Sequence, residues 1–395
     1  MIKDSYDVVI AGAGPGGSAA AEKLAKLGHS VLVLEKRQEI GAPKRCGEGL
    51  TMNTAAILGK IPENCIARKM EGATIYAPNS NEVSVNLGAE GGYVVERKVF
   101  DKWLAYKASR AGATVVAHSE VTGVLREGSR VVGVKALTGG EEERDIRAKV
   151  VVAADGVEST VARKAGLDTG NRLANVDSGY QYEMSNLRLE NDRRIVLYFG
   201  NKIAPRGYVW IFPKGHDVAN VGVGVGMSGK PAKWYLDRFI SGHPEIFGNA
   251  SIIEANSGAI PVGGFLRNMV VDGMVVVGDA AHQVNPIHGG GMKEATIAGR
   301  IAADVISKCI KSGNLSAKAL SEYNKRWWKE RGNSLKKVER LREVVEKLTD
   351  DDFNMISETL TSDIAIGLSR GEKMKSLGKI LMKKPSLLKL ARHLI

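Results

Sequence analysis

Near its start the chain reads YDVVIAGAGPGGSAAAEKLAKLGHSVLVLEK, and this stretch restricts the fold more than any other. An apolar strand from Asp7 to Ala11 runs into a glycine turn, then a helix to Leu27, then a second strand ending at Glu35. That is a complete βαβ unit with dinucleotide-binding spacing. Gly12 permits the tight turn, Gly14 lets the backbone approach a pyrophosphate, and Gly17 with Ala21 lets the helix pack closely. The turn, with Ala13 inside it, delivers the unpaired amides of a helix N-terminus to the phosphates. Glu35 stands where a carboxylate accepts both hydroxyls of an adenosine ribose, and it would repel a 2′-phosphate.

A chain of 395 residues exceeds one compact core, so two or more lobes are expected. With 44% hydrophobic and 25% charged residues, the composition is that of an ordinary globular protein. Cys46, Cys65 and Cys309 form no CxxC pair, which argues against a zinc site or a disulfide framework. The sequence shows no signal-peptide pattern and no run of about eighteen apolar residues, so a reducing, cytoplasmic setting is expected.

Two further segments bear on which dinucleotide is held. AKVVVAADGVESTVARKAG is a buried strand from Val150 to Ala154, then Asp155, Gly156 and a helix with Ser159 and Arg163. GMVVVGDAAHQVNPIHGGGMKEATIAGRIAADVI carries a strand ending at Gly278 and Asp279, and a glycine turn at Gly289 to Gly291 that opens a long helix near Met292. These segments resemble the FAD-dependent oxidoreductases of the para-hydroxybenzoate hydroxylase fold. The resemblance implies FAD, with Asp155 near the pyrophosphate, Asp279 on the ribityl chain, and the helix after Gly291 aimed at the flavin C2 carbonyl, where its positive end favours reduced flavin. It also implies contacts from Arg97 and from the Val121 backbone near the adenine. No second dinucleotide fingerprint occurs, so no nicotinamide domain is read and the sequence leaves the electron donor open; NAD(P)H or a ferredoxin-like protein is expected.

The FAD lobe is then discontinuous, 1–70, 96–170 and 268–310. Segments 71–95 and 171–267 alternate apolar and polar residues between turn signals, as an antiparallel sheet does. From 311 to 395 the pattern is helical. The predicted fold class is α/β plus α+β: a Rossmann-like FAD lobe, an antiparallel substrate lobe and a helical C-terminal region.

Within the second lobe, PRGYVWIFP puts Tyr208, Trp210 and Phe212 on one face of a strand, although only 6% of the chain is aromatic. Taken alone, such a face is sheet core or a ligand wall. The PxxYxWxFP pattern, with RCGEGL at 45–50, resembles the geranylgeranyl reductase family, above all its archaeal-type digeranylgeranylglycerophospholipid reductases. The resemblance implies a prenyl channel walled by the three aromatics, with Cys46, Gly47 and Gly49 beside the isoalloxazine. The role of Cys46 as acid, redox partner or spacer is left open, and Glu48, His282 and His288 are weaker acid candidates. The implied reaction saturates isolated C=C bonds of geranylgeranyl chains on a glycerophospholipid, by hydride from reduced FAD N5 plus a proton. Reduction of such chains in chlorophyll or quinone pathways, aromatic monooxygenation, and a basic binding protein with structural FAD are the rivals.

The net charge of +12 favours an anionic partner, with a membrane surface preferred to nucleic acid once a lipid substrate is considered. In the tail, Met374, Leu377 and Leu381 share one helical face and Lys375, Lys379 and Lys383 another, ahead of Pro385. This amphipathic pattern predicts an anchor that lies on the inner face of the cell membrane.

Overall fold

The computed structural model describes residues 2–86, 91–382, 384, 387 and 388. Five parallel strands, in the order Met274–Val276, Glu142–Ala153, Ser5–Ala11, Val31–Leu34 and Thr114–Val116, form the first sheet. Strands Ser119–Glu127 and Arg130–Thr138 extend it antiparallel from Glu142–Ala153. Val8, Val9, Ile10, Leu32 and Val150 to Ala153 are essentially inaccessible, as strands covered on both faces must be. Helix Pro15–Lys26 packs on this sheet and against the long helix Met292–Ser312. A Cβ at Gly299 would collide with the carbonyl of Gly16, so this helix pair meets backbone to backbone.

A second sheet of seven strands runs in the order Ser251–Pro261, Val176–Ser185, Ala219–Val225, Tyr208–Pro213, Arg194–Phe199, Gly72–Tyr76 and Glu82–Asn86. It is antiparallel except where Arg194–Phe199 lies parallel to Gly72–Tyr76. The long excursion between those two strands makes a parallel crossover possible where a hairpin could not. A small third sheet joins Gly49–Thr51, Gly92–Val95 and Ile66–Met70. The fully buried strand Ala219–Val225 explains its alternating glycines in part: Gly222 faces Trp210 across the ladder, and a Cβ there would enter the indole.

The C-terminal region is helical, with one π-helical segment at Trp328–Gly332. Its later helices dock on the edge strand Glu82–Asn86 and the turn before it, through the apolar Val83 and Val85 and through polar contacts, Asn86 N to Ser362 Oγ at 3.3 Å and Asn81 Nδ2 to Ser357 Oγ at 2.8 Å.

The tail departs from the expectation of a free anchor. Helix Met374–Leu381 turns Leu377, Ile380 and Leu381 into a cluster with Leu341, Val344 and Leu348, and half-buried Met374 packs against it. Burial of each such side chain contributes roughly 2 kcal/mol, against about 1 kcal/mol for a lysine near an anionic surface. Packing therefore wins the apolar face, leaving Lys375 and Lys379 exposed; Lys383 and Pro385 lie outside the described residues.

Candidate functional site

The C-terminal ends of the parallel strands deliver the cofactor residues to one place. Gly12 follows strand Ser5–Ala11 with φ +104°, a conformation open only to glycine at low cost, and a Cβ there would strike Ala154 O. A Cβ at Gly17 would strike Gly12 O, so Gly17 sits behind the turn and outside the cavity lining. Glu35 closes the neighbouring strand: one carboxylate oxygen accepts Ala13 N–H at 2.9 Å and the other Arg37 N–H at 3.0 Å. Asp155 Oδ2 accepts Val161 N–H at 3.0 Å, while its buried Oδ1 has no partner among the described residues.

A single cavity of about 1080 Å³ runs past these groups. Gly12, Ala13, Gly14, Glu35, Val121, Asp155, Asp279, Gly291 and Met292 line it, as do Cys46, Gly47, Gly49, Arg97, Tyr208, Trp210 and Phe212. Thus every predicted site residue except Gly17 faces one continuous space. No atom lies within 4 Å of where a Gly14 Cβ would stand, which suits close approach of a pyrophosphate. Burial pushes the Asp279 carboxyl above the usual carboxylate range, while nearby Arg97 pulls it back down. Arg97 is itself half-buried yet kept strongly cationic by Asp101, which its guanidinium contacts at 2.8 and 2.7 Å. Free amides at the start of helix Met292–Ser312 complete this end, with no side chain capping them. An unpartnered acceptor beside the turn, an open glycine and a strand-end carboxylate together fit FAD.

The aromatic strand closes on the Cys46 loop. A Cβ at Gly47 or at Gly49 would lie 3.0 Å from the Phe212 ring, so any larger residue would push the ring outward. Trp210 Nε1 donates to Gln181 Oε1 at 2.8 Å, and Gln181 Nε2 donates to Cys46 O at 3.2 Å. Tyr208 Oη donates to His288 O at 2.9 Å. The three rings form a ladder with centroid spacings of 6.0 and 6.4 Å. Cys46 Sγ receives the Glu48 amide at 3.2 Å and is a free thiol. Of the weaker acid candidates, His282 has both ring nitrogens against carbonyls, Gly264 O at 2.8 Å and Thr169 O at 3.1 Å, and plays a structural part. His288 lines the cavity, and burial lowers its pKa, favouring the neutral ring.

Beyond the aromatics the cavity becomes apolar. Ile75, Val83, Val85, Leu197 and Phe199 line its sheet side, and Leu341, Phe353, Ile356, Leu360, Ile366 and Leu377 cover it from the C-terminal helices. Phe199 bridges the two, with ring centroids 5.4 Å from Tyr208 and 6.1 Å from Phe353.

This architecture has close relatives. A digeranylgeranylglycerophospholipid reductase of Methanocaldococcus jannaschii is 40% identical over 100% of this chain and 99% of its own length. The chain belongs to the digeranylgeranylglycerophospholipid reductase family. The family member from Methanocella arvoryzae is 39% identical over 98% of both chains. Family models for the geranylgeranyl reductase catalytic domain and for FAD dependent oxidoreductases match residues 175–260 and 7–187. The crystal structure of a geranylgeranyl bacteriochlorophyll reductase-like protein from Thermoplasma acidophilum superposes with TM-score 0.90 at 36% identity, covering 99% of this chain and 100% of that one. The flavin-dependent brominase Bmp2, at 22% identity and TM-score 0.73 over 93% of this chain and 94% of its own, shares the fold. FAD is the cofactor of this reductase family member, an oxidoreductase of the hydroxylase-type flavoprotein fold.

Two groups of residues escaped the sequence reading. The helical roof is one, because its apolar residues pattern like any amphipathic helix packed on a core. The other is a set of charged and polar side chains, Lys44, Glu183, Lys214 and Asn220, gathered around Glu48. Its only sequence signal is a pair of charges four residues apart, Lys44 and Glu48, inside a glycine-rich segment.

Proposed function

We propose that this chain saturates the isolated C=C bonds of geranylgeranyl chains carried on a glycerophospholipid. The observation that carries the reading is the continuity of the cavity, from the dinucleotide turn past Cys46 to an aromatic and then aliphatic channel. A long isoprenoid offers only methyl and vinyl groups, which such walls contact without desolvating polar groups. The names of the full-length relatives support the same substrate class.

An isolated alkene has no carbonyl to take up negative charge, so a proton moving to the less substituted carbon leads, positive charge develops on the more substituted carbon, and hydride goes to that carbon. When bound and reduced, the flavin supplies that hydride from N5. Tyr208, Trp210 and Phe212 hold the chain in register, and their faces stabilise the developing cation. Gly47 and Gly49 keep the loop thin enough for the rings to close, and Gln181 locks Trp210 to it. Cys46 Sγ, beside Arg97, is placed to hold the proton destined for the other carbon. Gly12, Ala13, Gly14, Glu35, Arg97, Val121, Asp155, Asp279, Gly291 and Met292 hold the cofactor, with Gly17 shaping the turn. We assign 1–70, 96–170 and 268–310 to the FAD domain, 71–95 and 171–267 to the substrate domain, and 311–395 to a helical C-terminal region whose later helices roof the channel. Electrons reach the flavin from NAD(P)H or a ferredoxin-like protein.

The test uses dithionite-reduced protein under anaerobic conditions with a geranylgeranylated glycerophospholipid. Each reduced bond adds two mass units. Geranylgeranylated quinone and bacteriochlorophyll in parallel reactions report headgroup choice, and hydroxylation of an aromatic compound in air with no lipid mass gain would turn the reading to a monooxygenase.

We also place the protein on the inner face of the cell membrane. No helix among the described residues is long and apolar enough to cross a bilayer. The support is the charge of +12 together with exposed Leu173 and Met227, which flank the cavity-lining Arg206. Arg206 reaches the Ala174 carbonyl at 2.9 Å on one side and lies against Gly226 on the other. Sedimentation with anionic vesicles is expected to recover the protein at low salt and release it at high salt.

A further inference from the structure

Lys44 and Glu48 bracket the Cys46 loop, and Lys214 directly follows the aromatic strand. All three meet inside the protein. Lys44 is 3% exposed and Glu48 0%, and the Lys214 side chain is 4% exposed. Lys214 Nζ donates to Glu183 at 2.8 Å and lies 3.3 Å from Glu48. Lys44 pairs with Glu183 and lies 3.5 Å from Glu48. Asn220, fully buried, donates to Glu48 at 2.7 Å and to Gly47 O at 3.3 Å. The other Glu48 oxygen takes the Arg97 amide at 2.6 Å, and Glu48 itself holds a left-handed backbone, φ +73°. Although burial opposes its charge, Lys214 is held above its usual pKa by Glu48 and Glu183.

Burying four charges costs several kcal/mol per ion, and well-packed apolar side chains of similar size are often as stable. Stability is therefore a poor account of the cluster. Its members instead tie three flavin-side features together: the Gly47 carbonyl, the first residue of the Arg97 helix, and the end of the aromatic strand. Glu96, 2.7 Å from Lys214, and Glu254, 3.6 Å from Lys44, add two more half-buried carboxylates at the edge of the cluster.

We propose that Lys44, Glu48, Glu183, Lys214 and Asn220 are positioning residues that clamp the Cys46–Gly47 loop onto the aromatic strand and set the charge that its underside presents to the flavin. The inference rests on the FAD site and not on which lipid is reduced.

The experiment compares Glu48→Gln and Lys214→Met in the full FAD-loaded chain, reading the flavin midpoint potential and absorption spectrum without lipid. Glu48→Gln removes a negative charge, which favours anionic reduced flavin, so the potential is expected to rise. Lys214→Met removes a positive charge, so the potential is expected to fall, and the double variant is expected to return toward the parent. A merely structural role moves both singles alike or neither. With lipid, kcat is expected to fall tenfold or more in each single variant, with KM within twofold. Asn220→Ser changes no charge but frees the Gly47 carbonyl; its flavin spectrum is expected to change and its kcat to fall. Unshifted or same-direction potentials in the charge variants overturn the proposal. So does a parent-like spectrum and kcat in Asn220→Ser, even where the charge variants do not fold. Because the potentials are read without lipid, this outcome is separable from a failure of the lipid assay.

Discussion

Around Gly12 and Gly14 the cavity wall is backbone, whereas around Phe199, Trp210 and Phe353 it is side chain. At the first end the recognised groups are phosphates, and amides at a helix start bind them wherever a tight turn puts them. At the second end a featureless hydrocarbon must be enclosed, and this takes ring and aliphatic surfaces from elements far apart in sequence. The strand Arg194–Phe199, the strand Tyr208–Pro213 and the helices after residue 333 must all arrive before that wall exists. A backbone site thus fails through a single atom in the wrong place. A side-chain site fails by degrees.

The largest effect is expected at the backbone end. Gly12→Val adds a Cβ into Ala154 O at a φ of +104°, and the turn cannot relax without leaving the strand register. Purified variant is expected to carry no FAD and to lose the flavin absorption bands; full flavin content would refute the backbone account.

Next comes the roof. Leu377→Asp buries a charge in the cluster around Leu341 and Val344, and a loss of about 3 kcal/mol or more is expected from thermal unfolding. Flavin is expected to stay bound, because the two ends of the cavity draw on different elements. Parallel loss of flavin would show that the ends are one unit.

A smaller, pH-dependent effect is expected at Asp177, beside Arg206 and Arg342 on the channel wall. Burial pushes its carboxyl up to about 6, and the two arginines only partly oppose this. A folded pKa above the unfolded value means that the full contribution is present below the unfolded pKa of 3.8 and is lost as pH rises through about 6. The loss is roughly 3 kcal/mol at most. Asp177→Asn is therefore expected to raise the melting temperature at pH 7.5 and to leave it nearly unchanged at pH 4; the opposite ordering would break the argument.

The smallest effect is expected on the outer face of the tail helix. Lys375→Glu with Lys379→Glu is expected to change stability by less than about 0.5 kcal/mol, since both side chains are exposed. If the cavity rim near Leu173 and Met227 carries membrane contact, vesicle recovery should change little as well. A complete loss of recovery would return the anchor to the tail.

Much of the flavin end was legible in the sequence because its chemistry is local. A glycine turn between strand and helix needs particular residues at particular spacings, and Glu35, Asp155 and Asp279 each stand at the end of a strand or next to it. The aromatic alternation was legible for the same reason, since a strand sends every second side chain to one face. The tail was misread because amphipathicity states only that a face needs burial. What buries it, a bilayer or Leu341 and Val344, depends on chain contacts that no local pattern encodes.

What the sequence by itself determined is the βαβ turn, its fit to a dinucleotide and the ringed face of Tyr208, Trp210 and Phe212. Each follows from backbone geometry within a few residues. Tertiary structure alone decided that Phe212 closes over Gly47 and Gly49, that Lys44, Glu48 and Lys214 share one buried cluster, and that the C-terminal helices roof the channel. Those outcomes rest on long-range packing, in which the partner of an apolar or charged side chain is set by the whole chain's competition for burial.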